Sequence, residues 1–384
     1  MRIRVLVSGG GSGGHLYPAL AVAAQLQKEY QAEILYLGSD DGLETELVPT
    51  AGFPFAIIKA GKLQRYVSWK TLTGVGRVPV GMAQAVGIVR KFRPHAAFTS
   101  GGYVAVPAGL AARLNGVPLL MHQEDVSPNL SNRLIAPLAT RISVAFVDSL
   151  AYFPKGKTLQ LGNPVRQAIL DMRTVPPQEA RRTLGFEADE PLLLVTGGSQ
   201  GARHLNQVVA QALPDLLARC QVLQISGKKL FDETRALAEQ VMANLDEQTK
   251  QRYRLVPYMD AEMPAALQGA DLVLCRSGAA TLSELAVLSK PSLLVPLPPA
   301  LGGSPQEVNA QMFGRQQAAQ VIRDDDLKPE MLVTRVMSII LSNTLLESMA
   351  HAAGDVAKPD ATRAIAAQIV SLTNVQKDEQ GTNV

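Results

Sequence analysis

The chain alternates between short, almost continuously apolar runs and longer stretches in which apolar residues recur at helical spacing. In the first half the runs fall at residues 3–8, 33–38, 55–58, 95–99, 118–122 and 141–144. In the second half they fall at 191–196, 220–225, 252–256, 271–274, 292–295 and 319–322. Runs such as Leu192-Leu193-Leu194-Val195 lack the in–out alternation of a half-exposed strand. They suit parallel strands covered on both faces. Strands separated by helices predict right-handed βαβ units and an α/β fold. The order restarts near Gly162-Asn163-Pro164. The expected organisation is therefore a domain over 1–162, a second over 163–373 whose last helix is free to pack back on the first, and a polar, disordered tail over 374–384.

Composition narrows this picture. A length of 384 residues fits two to three domains. A hydrophobic content of 47% with 18% charged residues describes a globular chain with a large core. The apolar run after Met1-Arg2 stops at glycines and is too short for a signal peptide. No stretch approaches the roughly 18 apolar residues of a membrane span. The two cysteines, Cys220 and Cys275, lie in apolar strand-like contexts and read as free core thiols in a reducing cytoplasm. Charge is uneven. Residues 1–160 hold 16 Lys+Arg against 9 Asp+Glu, and the remainder 21 against 25. From Lys59 to Arg93 there are eight basic residues and no acidic one.

Two glycine-rich turns carry the first chemical signal. Gly10-Gly11-Ser12-Gly13-Gly14-His15 follows the first apolar run, and Gly197-Gly198-Ser199-Gln200-Gly201-Ala202-Arg203 follows Leu192–Val195. At a strand-to-helix turn, backbone N–H groups and the helix dipole converge and favour an anion, usually a phosphate. Two such turns predict two nucleotide-fold domains facing across a cleft. Gly9, Gly11 and Gly14 also satisfy G-x-G-x-x-G, but the second run, Ile34–Gly38, lacks the terminal acid that holds a dinucleotide ribose, and Asp40 comes a turn later. That weighs against a nicotinamide-dependent oxidoreductase. His15 closes the first turn, where a helix N-terminus would keep its ring neutral and able to accept a proton.

A further small-residue turn, Arg276-Ser277-Gly278-Ala279-Ala280-Thr281-Leu282-Ser283-Glu284, follows the run 271–274. Glu284, one to two helical turns in, suits hydrogen bonds from both hydroxyls of a ribose. Arg166, in Gly162-Asn163-Pro164-Val165-Arg166, lies at the expected hinge, where a cation would reach a diphosphate. The acidic run Asp324-Asp325-Asp326 reads as a solvated loop, and no metal site is expected.

These motifs together resemble the MurG family of peptidoglycan N-acetylglucosaminyltransferases. The likeness runs from Ile3 to about residue 370, through GGSGGH-x-x-P at Gly10–Pro18, SGGYVAVPAGLAA at Ser100–Ala112, GNPVR at Gly162–Arg166, GGSQGAR at Gly197–Arg203 and CRSGAATLSE at Cys275–Glu284. The resemblance implies a GT-B fold of two Rossmann-like domains and no cofactor. It also implies transfer of GlcNAc from UDP-GlcNAc to undecaprenyl-diphospho-MurNAc-pentapeptide (lipid I), giving lipid II with inversion. By the same likeness, Ser12, Gly13 and Gly14 face the donor sugar and diphosphate, and Arg166 and Ser199 contact the diphosphate. Met259 meets the uracil through its backbone. Ala279, Ala280, Thr281, Leu282, Ser283 and Glu284 hold the nucleoside, with Glu284 on the ribose. Gln306 contacts the GlcNAc hydroxyls, and His15 is the proposed base, with Glu124 an alternative near it.

The chain departs from the family pattern in places. Where the family reads H-E-Q-N, this chain has His122-Gln123-Glu124-Asp125, so Asp125 stands for an Asn that contacts GlcNAc. A carboxylate accepts a sugar hydroxyl's hydrogen bond but does not donate one unless protonated. Gln306 and Asn309 keep their spacing, but the leading acid of that loop is gone and Pro298–Gly303 extends it.

A lipid acceptor requires a membrane surface. Lys62, Arg65, Trp69, Lys70 and Arg77, interleaved with apolar residues, suit an anionic one at the cytoplasmic face of the cell membrane. Nucleic acid is a weaker reading of the same charge. Competing expectations are a different GT-B glycosyltransferase and a non-catalytic nucleotide-sugar binding module.

Overall fold

The computed structural model describes residues 2–11, 13–59, 69–198, 201–298 and 306–373, with side chains from 79 onward in the third segment. It divides into two compact units. The first is formed by the chain up to Val165 together with the chain from Lys358, and the second by Arg166–Ala357. The final helix thus belongs to the first unit.

Unit 1 holds β1 (Arg4–Ser8), α1 (Gly13–Tyr30), β2 (Glu33–Ser39), α2 (Glu44–Thr50), β3 (Phe55–Ile58), α3 (Trp69–Phe92) and β4 (Ala96–Thr99). It continues through α4 (Ala105–Leu114), β5 (Leu119–Gln123), α5 (Leu130–Ile135), β6 (Arg141–Val144) and β7 (Thr158–Gln160). Unit 2 holds α6 (Gln167–Asp171), α7 (Pro177–Thr183), β8 (Leu192–Thr196), α8 (Arg203–Leu217), β9 (Gln221–Ile225), α9 (Phe231–Val241), α10 (Glu247–Lys250) and β10 (Tyr253–Val256). It ends with α11 (Met263–Gly269), β11 (Leu272–Cys275), α12 (Ala279–Val287), β12 (Ser292–Leu294), α13 (Gln306–Arg315), β13 (Ala319–Val321), α14 (Pro329–Ile340) and α15 (Asn343–Val356). The chain then returns to unit 1 as α16 (Ala361–Ser371).

Both sheets are parallel throughout. Their strand orders are β3-β2-β1-β4-β5-β6-β7 and β10-β9-β8-β11-β12-β13. Each is the doubly wound Rossmann-like order, which reverses beside its first strand. The reason is visible in burial. On β1, Val5 and Val7 pack into a cluster with Leu16, Val22 and Leu26 of α1 and Ile365 and Ile369 of α16. Leu6 points the other way, into a cluster with Val89 of α3 and Ala105, Ala108 and Ala111 of α4. A strand covered on both faces needs apolar residues at every position.

All twelve expected strands are present, with ends shifted by a residue at most. The thirteenth, β7, pairs Ile142 with Thr158 and Val144 with Gln160. Only Leu159 of its three residues is apolar, so it gives no hydrophobic run to read. In open sheets of this order, ligands bind beyond the C-terminal strand ends at the reversal. There lie the turns after β1 and β4 in unit 1, and after β8 and β11 in unit 2.

Candidate functional site

In unit 1 the first glycine turn is filled from within. Glu44, fully buried at the start of α2, accepts the Gly11 N–H at Oε2 (3.3 Å) and the Ser39 hydroxyl at Oε1 (2.7 Å). The Tyr36 hydroxyl donates to the Gly9 carbonyl. The expectation that this turn offers its N–H groups to a phosphate therefore needs correction at Gly11, whose amide is taken by a carboxylate of the protein. The turn after β4 packs against it. Gly102 adopts φ +83°, and a Cβ there would lie 2.0 Å from the Gly10 carbonyl oxygen, so only glycine fits.

Gly13, Gly14 and His15 form the first residues of α1, with the His15 carbonyl accepting the Ser100 hydroxyl at 2.5 Å. Ser12 lies outside the described residues. The His15 Nδ1 stands 3.3 Å from Glu124 Oε1, and both side chains are largely buried. The contact is a charge pairing at poor hydrogen-bond angle, since neither atom completes an aligned hydrogen bond. Burial pushes the His15 pKa down, but the Glu124 carboxylate, with a smaller contribution from Asp125, carries it above its ordinary value. Burial raises the Glu124 pKa, and His15 only partly opposes this. The helix terminus disfavours a charged His15 ring, and the Glu124 carboxylate works against that by raising its pKa. Asp125 is buried beside the pair, and its carbonyl accepts from Gln123 Nε2 at 2.8 Å.

Below this pair sits a histidine that the motif reading did not use. His122 is fully buried, with Nδ1 2.7 Å from the Ser143 hydroxyl and Nε2 2.8 Å from Asn163 Oδ1. Burial holds its pKa down at about 4, so it is a neutral structural link between β5, β6 and the end of the sheet.

In unit 2 the second glycine turn opens instead of closing. A cavity of about 620 Å³ lies at the head of α8, lined by Gly197, Gly198, Gly201 and Ala202 of the turn and by Arg203 and His204 of the helix. Arg276, Gly278 and Thr281 line it from β11 and α12, and Gln306 and Asp324 complete it. Gly201 has φ +75°, and a Cβ there would lie 2.2 Å from the Ser226 carbonyl oxygen. Chain direction at this close approach aims α8 at the cavity. An aligned helix carries about half a positive charge at its N-terminus, so the cavity suits an anion. Ser199 lies outside the described residues.

The other expected residues of unit 2 sort into three kinds. Gln306 and Thr281 line the cavity. The Gln306 Oε1 accepts from Ser277 N (3.2 Å) and Leu297 N (3.0 Å), and its amide nitrogen has no partner among the described residues. Glu284 lies past Thr281 on α12 and is paired with Arg166 through Nε and Oε1 at 2.9 Å. Burial raises the Glu284 pKa and Arg166 opposes it. Arg166 also stands 4.0 Å from Asp260. Two side chains read separately from the sequence thus meet. By contrast, Leu282 is a core residue, and Ser283 returns its hydroxyl to the Ala279 carbonyl at 2.8 Å. Ala279 and Met259 are buried, and Ala280 is exposed.

Asp324 corrects a second expectation. It is not solvated: its side chain is largely buried, with Oδ1 2.5 Å from Arg276 Nη1 and Oδ2 3.2 Å from His204 Nδ1. Its neighbours Asp325 and Asp326 are the solvated part of the run.

Of the basic residues expected at a membrane, Lys62 and Arg65 lie outside the described residues. Trp69, Lys70 and Arg77 lie on α3, where only the backbone is described. Among the described residues no helix is long and apolar enough to cross a membrane.

Comparison with known proteins agrees with this anatomy. Residues 5–144 match the glycosyltransferase family 28 N-terminal domain and residues 192–365 its C-terminal domain. The chain is 36% identical over 373 residues to the UDP-N-acetylglucosamine--N-acetylmuramyl-(pentapeptide) pyrophosphoryl-undecaprenol N-acetylglucosamine transferase of Caldanaerobacter subterraneus subsp. tengcongensis, over 97% of this chain and 100% of the relative. It is 38% identical over 367 residues to the like-named protein of Desulfitobacterium hafniense strain Y51, over 94% and 97% of the two chains. The crystal structure of Acinetobacter baumannii MurG superposes with a TM-score of 0.76 at 27% identity, covering 97% of this chain and all of that one. The UDP-GlcNAc 2-epimerase of Neisseria meningitidis shares the fold alone, with a TM-score of 0.67 at 12% identity over 97% and 100% of the two chains. With both domain models matched in order and full-length relatives above 30% identity, the chain belongs to glycosyltransferase family 28, as an N-acetylglucosaminyltransferase of GT-B fold.

Proposed function

We propose that this chain transfers GlcNAc from UDP-GlcNAc to the C4 hydroxyl of MurNAc in undecaprenyl-diphospho-MurNAc-pentapeptide, giving lipid II with inversion at C1. The observation that carries the reading is the anion-ready cavity at the head of α8, in a chain whose full-length relatives bear that activity in their names. The donor diphosphate sits on the α8 N-terminus, with Ser199 and Arg166 as further contacts. Glu284 takes the ribose: Oε2 receives one hydroxyl, and Oε1 becomes available as Arg166 leaves it for the diphosphate. Met259 borders the uracil, and the Gln306 amide nitrogen donates to GlcNAc.

His15 acts as general base. The acceptor oxygen forms its bond to C1 as the bond from C1 to the β-phosphate oxygen breaks. The hydroxyl proton passes to the imidazole, and the electron pair leaves on UDP. Glu124 stabilises the imidazolium so formed, the role a carboxylate plays behind a catalytic histidine. Fixed donors at the α8 terminus stabilise the growing charge on the diphosphate. Ser12, Gly13 and Gly14 border the sugar, and Asp125 accepts from one of its hydroxyls.

The enzyme works as a peripheral protein on the cytoplasmic face of the cell membrane. Besides Lys62, Arg65, Trp69, Lys70 and Arg77, the exposed Val80, Leu114, Leu130 and Leu134 of α3, α4 and α5, beside Arg113 and Arg133, support an apolar and basic contact. Labelled UDP-GlcNAc incubated with a short-chain lipid I analogue tests the reaction. Formation of the β-linked disaccharide is expected; tight UDP-GlcNAc binding with no transfer would assign the chain to a different acceptor or to binding alone.

A further inference from the structure

Arg276, Asp324 and His204 all line the unit 2 cavity, and none of them follows from the roles above. They come from three places: the end of β11, the segment after β13 and the second residue of α8. Asp324 holds the other two, one on each carboxylate oxygen. Arg276 Nη1 is further fixed by the carbonyls of Val295 (3.0 Å) and Pro296 (3.1 Å). Its Nε–H is buried with no hydrogen-bond partner among the described residues, although the residue is about nine-tenths buried. A charged donor buried without an acceptor is costly, and here it lies on a residue that also lines the anion-ready cavity.

The charges then decide what His204 is for. Asp324 offsets the charge of Arg276, so the Arg276–Asp324 pair adds little net charge to the cavity. A carboxylate only accepts, so Asp324 takes the hydrogen on His204 Nδ1 and fixes which ring nitrogen is left. That nitrogen, Nε2, has no protein partner among the described residues, and the His204 side chain is 43% exposed. It is the member of the trio with a ring nitrogen still open to a ligand in the cavity.

We propose that His204 is a further contact for the donor's diphosphate, presented by Asp324 as a positioning residue. As an imidazolium, with its Nδ1–H on Asp324, His204 donates from Nε2–H to a phosphate oxygen. The inference rests on the reading that a nucleoside diphosphate occupies this cavity, and it deepens that reading by naming residues that grip the leaving group. Arg203, the neighbouring cation, is instead turned toward Glu233 of α9 at 3.3 Å.

Calorimetric titration of the full chain with UDP and with uridine tests this. UDP binding by the native protein checks the reading of the cavity itself; its absence would remove both proposals. Given that binding, H204A is expected to weaken UDP about tenfold and leave uridine unchanged. H204R, which restores a cationic donor, is expected to recover most of the loss. In a D324N background the effect of H204A should shrink, because the ring is no longer held. Equal losses for UDP and uridine, unchanged UDP binding in H204A, or full additivity with D324N would each overturn the assignment of His204 while leaving the cavity's nucleotide in place.

Discussion

The two glycine turns occupy the same place in the same topology, yet they are different objects. The turn after β1 is closed by Glu44, a buried carboxylate of the protein that takes the Gly11 amide. The turn after β8 opens onto a cavity of about 620 Å³ whose walls carry Arg276, His204 and Gln306. A glycine-rich strand–turn–helix supplies directed N–H groups in both cases. Their surroundings differ: in unit 1 an internal acid takes the Gly11 amide, and in unit 2 the turn borders a cavity. The first turn leads into the head of α1, where His15 meets Glu124, and the second borders the cavity in which we propose the donor diphosphate sits.

Several substitutions would break or sharpen this contrast. The largest effect is expected from His15→Ala, which removes the base; general-base loss costs about 10²- to 10⁴-fold in rate. Next is Glu44→Ala. It strips the Gly11 and Ser39 amides of their buried acceptor, and each group left unpaired costs about 1–3 kcal/mol. Urea unfolding should show the loss, and UDP affinity should be untouched. A fall in UDP affinity equal to that of a cavity substitution would erase the distinction between the turns. Glu284→Ala should weaken UDP by about 1.5–3 kcal/mol, the range for hydrogen bonds to a charged group; titration with UDP reads it.

Two further effects depend on pH. A base must be unprotonated, so activity should fall as pH drops through the His15 value, which Glu124 holds above 6.5. Glu124→Gln removes that support, and the acid limb of the pH–rate profile should move to lower pH. An unmoved limb would mean that another group titrates there. His122 titrates near 4 in the fold against 6.5 when unfolded. Between those values the unfolded chain binds the extra proton, so the fold is favoured above pH 6.5 and loses stability as pH falls toward 4. The loss amounts to about 3 kcal/mol by proton linkage. His122→Asn should flatten that slope in acid denaturation.

The sheets were legible because their strands are buried on both faces, which leaves continuous apolar runs as their trace. β7 left none, being three residues long with only Leu159 apolar. The turns were legible as turns, since the need for glycine at close backbone approaches is local. Their occupants were not. Glu44 lies 33 residues from Gly11, and a buried glutamate reads in sequence like any other acid at the start of a helix. Asp324 sat in a run of three acids that reads as solvated, while its partners lie 48 and 120 residues away. Arg166 and Glu284 were each singled out, but their pairing across 118 residues has no local trace.

The central claim is that the unit 1 turn presents the base while the unit 2 cavity holds the donor. Parallel measurement of UDP binding and of single-turnover GlcNAc transfer to a lipid I analogue, in native protein and His15→Ala, tests it most directly. The account predicts that transfer falls by about 10²- to 10⁴-fold while UDP affinity stays at the native value. Transfer at the native rate, or UDP affinity lost in step with transfer, would contradict it.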